Sequence, residues 1–114
     1  MRLADIIKKP GSSYNDVEAF DVASMEAVRI IDVREPDEFV GTLGHIPGAE
    51  LVPLQTLQQE MKAWSKNQAL LVVCRSGGRS AMAAGVLADA GFDSVSNLRG
   101  GMIAYNQAGL TIER

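Results

Sequence analysis

The 114 residues include one cysteine and one histidine. A single thiol excludes an internal disulfide, and one thiol with one imidazole leaves no ligand set for a structural zinc. No apolar run approaches the roughly 20 residues that carry a helix across a bilayer, so no membrane partner is expected. The opening Met1-Arg2-Leu3-Ala4-Asp5-Ile6-Ile7-Lys8-Lys9 has an early acid and lacks the apolar stretch of a signal peptide. Excess positive charge is missing as well: the net charge is −3, which argues against nucleic acid as a partner. No repeat, low-complexity tract or linker divides the chain. These absences leave the cytoplasm as the default compartment. What remains is 46% hydrophobic and 22% charged, the balance of a soluble globular protein, and the length suits one domain over residues 1–114. Residues 1 to about 14, ending in Pro10-Gly11-Ser12-Ser13, read as a loosely attached N-terminal arm.

The lone cysteine closes the apolar run Ala69-Leu70-Leu71-Val72-Val73 and opens the loop Arg75-Ser76-Gly77-Gly78-Arg79. An alanine-rich helical segment follows from Ser80. A strand ends, a glycine-bearing loop turns, and a helix starts with its N-terminus aimed back at the sulfur. Free amides at a helix start carry the equivalent of roughly +0.5 charge and favour an anion placed there. Arg75 and Arg79 add two fixed positive charges, and such surroundings lower a cysteine pKa to roughly 3.5–7.5. Gly77 and Gly78 carry no Cβ and tolerate positive φ, so the loop can curl with its amides inward. The expectation is an anion-binding cup with the Cys74 thiolate at its base. The competing reading, a buried small hydrophobe, does not account for two glycines and two arginines directly after it.

Along the rest of the chain, short apolar strands alternate with helical stretches. Asn15 to Ala27 stays open between an edge strand at Val17–Phe20 and a short helix capped by Asp21 or Ser24. Arg29-Ile30-Ile31-Asp32-Val33 reads as a buried strand. Pro36 starts a brief helical turn through Phe39 that Gly41 stops. Glu50-Leu51-Val52 is another short strand, and Leu54, Leu57, Met61 and Trp64 recur as one amphipathic helix stripe. The site helix runs from about Ser80 to Ala90 with Gly91 as its cap, presenting Met82, Val86 and Leu87 as its apolar face. Val95-Ser96-Asn97-Leu98 reads as a strand, Gly100-Gly101 as a turn, and Met102–Ala108 as the last helix. Such alternation implies an α/β fold with a mostly parallel sheet covered on both faces, whose ligands bind beyond the carboxyl ends of strands.

Four segments together resemble a single-domain rhodanese, the family of persulfide-forming sulfurtransferases. They are Asp32-Val33-Arg34-Glu35-Pro36-Asp37-Glu38-Phe39, Gly44-His45-Ile46-Pro47-Gly48-Ala49, Cys74 to Ser80, and Leu98-Arg99-Gly100-Gly101-Met102-Ile103-Ala104-Tyr105, in the family's order and spacing. Tyr105 takes a position that the family usually gives to tryptophan, a change expected to alter packing only. The resemblance implies a rhodanese-like three-layer fold and a ping-pong route: Cys74 takes sulfur from a donor such as thiosulfate or a persulfide, and cyanide or a thiol collects it. With no second cysteine in the sequence, the acceptor is expected to come from another molecule, small or protein. Cofactors and metals are not called for.

Four residues separate Cys74 from Arg79, making a six-residue cup, whereas related phosphatases place five between. The smaller ring should suit a sulfur bonded to Cys74 rather than a phosphate. Arg75, Ser76, Gly77, Gly78, Arg79 and Ser80 are the expected binding loop. The resemblance implies that the segment after the first motif faces that loop; it offers Glu38 where thiosulfate-using members tend to carry cations, and a carboxylate there should weaken a dianion such as thiosulfate. Asp32 and Arg34 read as a supporting ion pair or loop anchor, since buried charges need partners. His45 reads as a turn residue whose ring bonds the backbone, Gly100-Gly101 as a close approach of two backbones, and Trp64 and the methionines as core. Arg99 either edges the site or faces solvent.

Overall fold

A computed structural model describes residues 14–114, so the expected N-terminal arm lies outside the described residues except for Tyr14. Ala69–Val73 (β4), with no polar side chain, takes the centre of a five-stranded sheet. Val28–Asp32 (β2) and Ser94–Leu98 (β5) flank it, while the short, polar Asn15–Val17 (β1) and Glu50–Leu51 (β3) form the edges. The order is β1-β5-β4-β2-β3 and every pairing is parallel. A strand buried on both faces can hold no unpartnered polar group, which is why the all-apolar segment sits in the middle.

The period-2 alternation of β4 divides the core. Leu70, Val72 and Cys74 point to one side, where Leu57, Ala83, Ala84, Leu87 and Phe92 pack. That layer holds Leu57–Glu60 (α2) and Gly78–Asp89 (α3). Leu71 and Val73 point to the other side, against Ala19, Val22, Met102 and Tyr105. There lie the 3-10 turn Ala19–Ser24 and Gly101–Gln107 (α4). The remaining helical turn, Pro36–Phe39 (α1), follows β2 and carries a reciprocal cap between Glu35 and Glu38. Helices on both faces of a parallel sheet are the three layers expected.

The differences from expectation have physical causes. Asn15 to Ala27 holds both elements but shifted: the edge strand is Asn15–Val17 rather than Val17–Phe20, and the 3-10 turn Ala19–Ser24 starts after Glu18, with Asp21 and Ser24 inside it rather than capping it. The stripe from Leu54 to Trp64 is not one helix but three short pieces, Leu54–Thr56 and Met61–Ala63 as 3-10 turns around α2. Only Leu57 in that stripe is fully buried, so little tertiary packing is available to hold a longer helix. Trp64 turns out of it in extended conformation and lies half-buried, with the Arg29 guanidinium 4.5 Å above its ring. Met82 was expected on the apolar face of α3 but is 65% exposed, because Ala83, Ala84 and Leu87 face the sheet. The small alanines let the helix sit close, and Met82 falls on its outer side. Among the described residues no helix is long and apolar enough to cross a membrane.

Candidate active site

Because β4 alternates, Cys74 continues the row of Leu70 and Val72 and arrives under the start of α3, with 1% of its surface exposed. The chain must then reverse within three residues to begin the helix. Gly77 makes that turn at φ 102°, a left-handed conformation that disfavours any side chain. A Cβ there would lie 3.1 Å from the Gly100 nitrogen. The turn aims donors at one atom: Gly77 N–H lies 3.1 Å from Cys74 Sγ, and both Ser80 N–H and Ser80 Oγ lie 3.3 Å away. Gly78 is the first residue of α3, lacks positive φ, and has open space where a Cβ would stand, so the curl does not depend on it. The helix accordingly starts two residues before the expected Ser80.

A second element holds the loop's carbonyls outward. Met102 N–H donates to Cys74 O at 2.9 Å and Ile103 N–H to Arg75 O at 3.0 Å. Gly101 brings these donors close at φ 56°; a Cβ on it would meet both the Cys74 and the Arg75 carbonyl oxygens at 2.5 Å. Orphan amides at the start of α4 thus take the loop carbonyls, and the peptide planes turn the loop's N–H groups inward. Gly100-Gly101 serves the close backbone approach expected of it.

Burial pushes the Cys74 thiol up, but the Ser80 hydroxyl and the amides of Ser80, Gly77 and Ser76 outweigh it, so the thiol lies below its ordinary value. The direction agrees with the sequence reading. Hydrogen bonds from neutral donors are the leading lowering causes, and the Arg79 charge couples to Cys74 as well, as expected. Arg79 is already engaged: its two guanidinium nitrogens bind the two Glu38 oxygens at 2.7 and 2.9 Å. The Arg79 hydrogen bonds pull Glu38 down to about 2. Arg75 is exposed and borders a groove of about 410 Å³ with Arg34, Asp37, Glu38, Gly41, Thr42 and Leu43. The groove lies beside the cup, on the side of the first motif.

Asp32 and Arg34, at the end of the neighbouring strand, form a buried pair. Arg34 Nε and Nη2 donate to the two Asp32 oxygens at 2.9 and 2.8 Å. The same guanidinium donates to the carbonyls of Glu38 and Gly44 at 3.2 and 2.7 Å, tying down the segment that carries Glu38. His45 stacks on Phe39 at 3.6 Å, and its Nδ1 donates to the Phe39 carbonyl at 2.7 Å, a backbone-bonded turn residue as expected. Tyr105 does more than pack: its hydroxyl donates to Thr111 O at 2.7 Å. Arg99 is 64% exposed and meets Glu18 at 3.2 Å and Asp16 at 3.6 Å.

Sequence reasoning missed two residues. Asn97, buried in β5, lies 2.5 Å from Ser80 Oγ, and its Nδ2 donates to Asp16 Oδ1 at 3.0 Å. The available signal was an amide in a strand, two positions after the buried Val95 and so on the same face, under α3.

Known proteins resemble this chain in sequence and fold. The model of the Rhodanese-like domain matches residues 17–108. A protein named Sulfurtransferase from Allochromatium vinosum is 37% identical over 91 residues, covering 80% of this chain and 83% of that protein. The Thiosulfate sulfurtransferase GlpE of Pseudoalteromonas translucida is 31% identical, over 80% of this chain and 85% of its own. Other relatives are longer; the chain spans 46% of an uncharacterized Synechocystis protein to which it is 39% identical. The crystal structure of a rhodanese-like domain protein from Staphylococcus aureus superposes with a TM-score of 0.72 at 30% identity, over 88% of this chain and 99% of that one. With the family model running from the end of β1 through the cup to the helix that braces it, the chain belongs to the rhodanese-like domain family.

Proposed function

We propose that the protein is a rhodanese-type sulfurtransferase with Cys74 as the sulfur carrier. The observation that carries this reading is the convergence of Gly77 N–H, Ser80 N–H and Ser80 Oγ on one buried sulfur, within 3.1–3.3 Å. Such a ring stabilises a negative sulfur without forming a fixed ion pair, so the anion keeps its nucleophilicity. The Cys74 thiolate attacks the outer sulfur of a donor. With thiosulfate, an S–S bond forms, sulfite leaves with the electron pair, and Cys74 holds a persulfide. An acceptor, cyanide or a thiol, then attacks the outer sulfur; the S–S bond breaks and the thiolate returns.

The charges at the mouth bear on the donor. Arg79 is neutralised by Glu38, leaving Arg75 as the loop cation with no acidic partner among the described residues, so a thiosulfate dianion is held weakly. The groove bounded by Arg75 and Asp37 offers room for a longer donor or acceptor, a thiol or persulfide on a small molecule or a protein. A sulfur-relay module, which carries a persulfide but turns over thiosulfate poorly, is the second reading, and the Glu38–Arg79 pair is what favours it.

Two measurements on the purified protein separate these readings. The expected results are thiocyanate production from thiosulfate and cyanide, and a donor-dependent gain of one sulfur, about 32 Da, on Cys74. A stable persulfide without turnover selects the relay. No added sulfur with any donor overturns both.

A further inference from the structure

A buried hydroxyl has one proton to give, and Ser80 has two claimants for it. Its Oγ stands 3.3 Å from Cys74 Sγ and 2.5 Å from Asn97 Oδ1. The orientation of the Asn97 amide is fixed from outside: its Nδ2 faces Asp16 Oδ1 at 3.0 Å and the Gly77 carbonyl at 3.5 Å, both of which only accept. Its oxygen therefore faces Ser80 and needs a donor, since two oxygen lone pairs do not sit 2.5 Å apart. Of the groups that hydrogen-bond Sγ, the Gly77 and Ser80 amides only donate, and Ser80 Oγ alone also accepts. Among the described residues, a neutral Cys74 thus has one hydrogen-bonded acceptor for its S–H, the Ser80 oxygen, which is free to accept when Ser80 gives its own proton to Asn97.

We propose that Asn97, oriented by Asp16, is a positioning residue that competes with the Cys74 sulfur for the Ser80 proton. With a thiol at Cys74 the chain runs S–H to Ser80 Oγ, Ser80 O–H to Asn97 Oδ1, and Asn97 N–H to Asp16. When the thiol proton leaves to water, the Ser80 hydroxyl swings to the thiolate and Asn97 Oδ1 loses its donor. Asn97 therefore moderates the acidity that the cup confers. The benefit is chemical: a thiol made too acidic becomes a weak nucleophile, and attack on sulfur is fastest when the pKa is near ambient pH. This deepens the carrier role proposed above for Cys74 and rests on it.

The other charged groups around the cup are Arg75 and Arg79 from the loop and α3, Glu38 in α1, and Asp32 with Arg34 at the end of β2. Asp16 is the charge that contacts the network itself, and it is shared with Arg99, whose closer partner is Glu18. A test must separate the loss of its charge from the loss of its acceptor.

The measurement is the pH dependence of Cys74 alkylation by iodoacetamide, clean because the sequence has no other cysteine. Asn97→Leu should lower the apparent pKa by about one unit, a tenfold gain in thiolate at pH values below both. In a Ser80→Ala background the same substitution should change nothing, since no hydroxyl remains to be freed. Asp16→Leu lets the amide turn over and should also lower the pKa. Asp16→Asn, which removes the charge but keeps an oxygen for Asn97, should give less than a third of that shift. An unchanged or raised pKa in folded Asn97→Leu overturns the proposal, as does an equal shift without the Ser80 hydroxyl. Should Asn97→Leu fail to fold, the edge-strand Asp16 pair decides alone, and equal shifts for Leu and Asn mean a simple charge effect and overturn it. Alkylation needs no sulfur donor, so this outcome is independent of whether the wild-type protein transfers sulfur.

Discussion

Two acidic groups end adjacent strands of the sheet and meet opposite fates. Cys74 follows β4 and Asp32 closes β2, with Asp32 in register with Val73. Both are buried, at 1% and 0% exposure. Asp32 is given a counter-charge that binds both its oxygens and is itself tied to two backbone carbonyls. Cys74 is given neutral donors: two amides and a hydroxyl at hydrogen-bond distance. A full counter-ion locks an anion in place. Oriented dipoles support the negative charge without occupying it, which is what a nucleophile in a dry pocket needs. On the proposed function, the chain builds a strut at one strand end and a nucleophile at the next.

The largest effect follows from removing the reactive atom. Cys74→Ser should abolish thiocyanate formation, because a serine hydroxyl is not ionised near neutrality and forms no persulfide. Its thermal unfolding should stay close to wild type, since the hydroxyl is nearly isosteric. Residual turnover by the purified variant contradicts the assignment of Cys74.

Breaking the strut should act on stability rather than chemistry. Arg34→Leu leaves the Asp32 carboxylate buried without its partner, a loss on the order of 3–5 kcal/mol in urea unfolding. Adding Asp32→Asn to it should recover part of that loss, because the uncompensated charge is then gone. If the double variant is as unstable as the single, Arg34 matters through its ties to Glu38 and Gly44 instead.

Gly101→Ala tests the bracing of the cup. Its Cβ would press on the Cys74 and Arg75 carbonyls at 2.5 Å, at a φ of 56° that costs an L-residue roughly 1–2 kcal/mol. Relief must come from moving the loop, and small misplacements at a reacting centre cost up to about a hundredfold in rate. Turnover should fall at least about tenfold while most of the protein remains folded at 25 °C.

How much of this was legible beforehand depends on the range of each cause. The strand-loop-helix around Cys74 is set by neighbours in sequence, so the apolar run, the glycines and the alanines locate it. Arg34's anchoring role was legible because a charged residue two positions after Asp32 has few other uses in a buried strand end. Distances across the fold were not. Glu38 was seen to face the loop, yet its capture of Arg79, 41 residues away, depends on how α1 and α3 are set on the sheet. Asn97 resembles any polar residue in a strand until β5 is placed in register beside β4, and only then does its amide fall under Ser80. The stripe from Leu54 to Trp64 misled because spacing measures only which positions share a face. It does not measure whether enough core is there to hold a helix together.

The smallest effect, and the sharpest test of dipoles against counter-ions, lies in the Glu38–Arg79 pair. This pair is half in water, with side-chain exposures of 26% and 38%, so its worth to stability is about 0.5 kcal/mol. The Arg79 hydrogen bonds lower the Glu38 pKa from 4.5 to about 2. A carboxylate depressed on folding stabilises the protein above its unfolded pKa, and that contribution fades as the pH drops through the folded value. The stability difference between wild type and Glu38→Gln should therefore be constant above about pH 5 and shrink steadily as the pH falls from about 4.5 toward 2. Function should move in the opposite sense. Glu38→Gln leaves Arg79 uncompensated at the edge of the cup, so KM for the thiosulfate dianion should fall several-fold at low salt, with the gain lost as ionic strength rises. The kcat should change less, because the donors that hold the sulfur are untouched. A KM that rises instead would mean that Glu38 is needed to hold Arg79 in its binding position, and that the cup depends on a counter-ion after all.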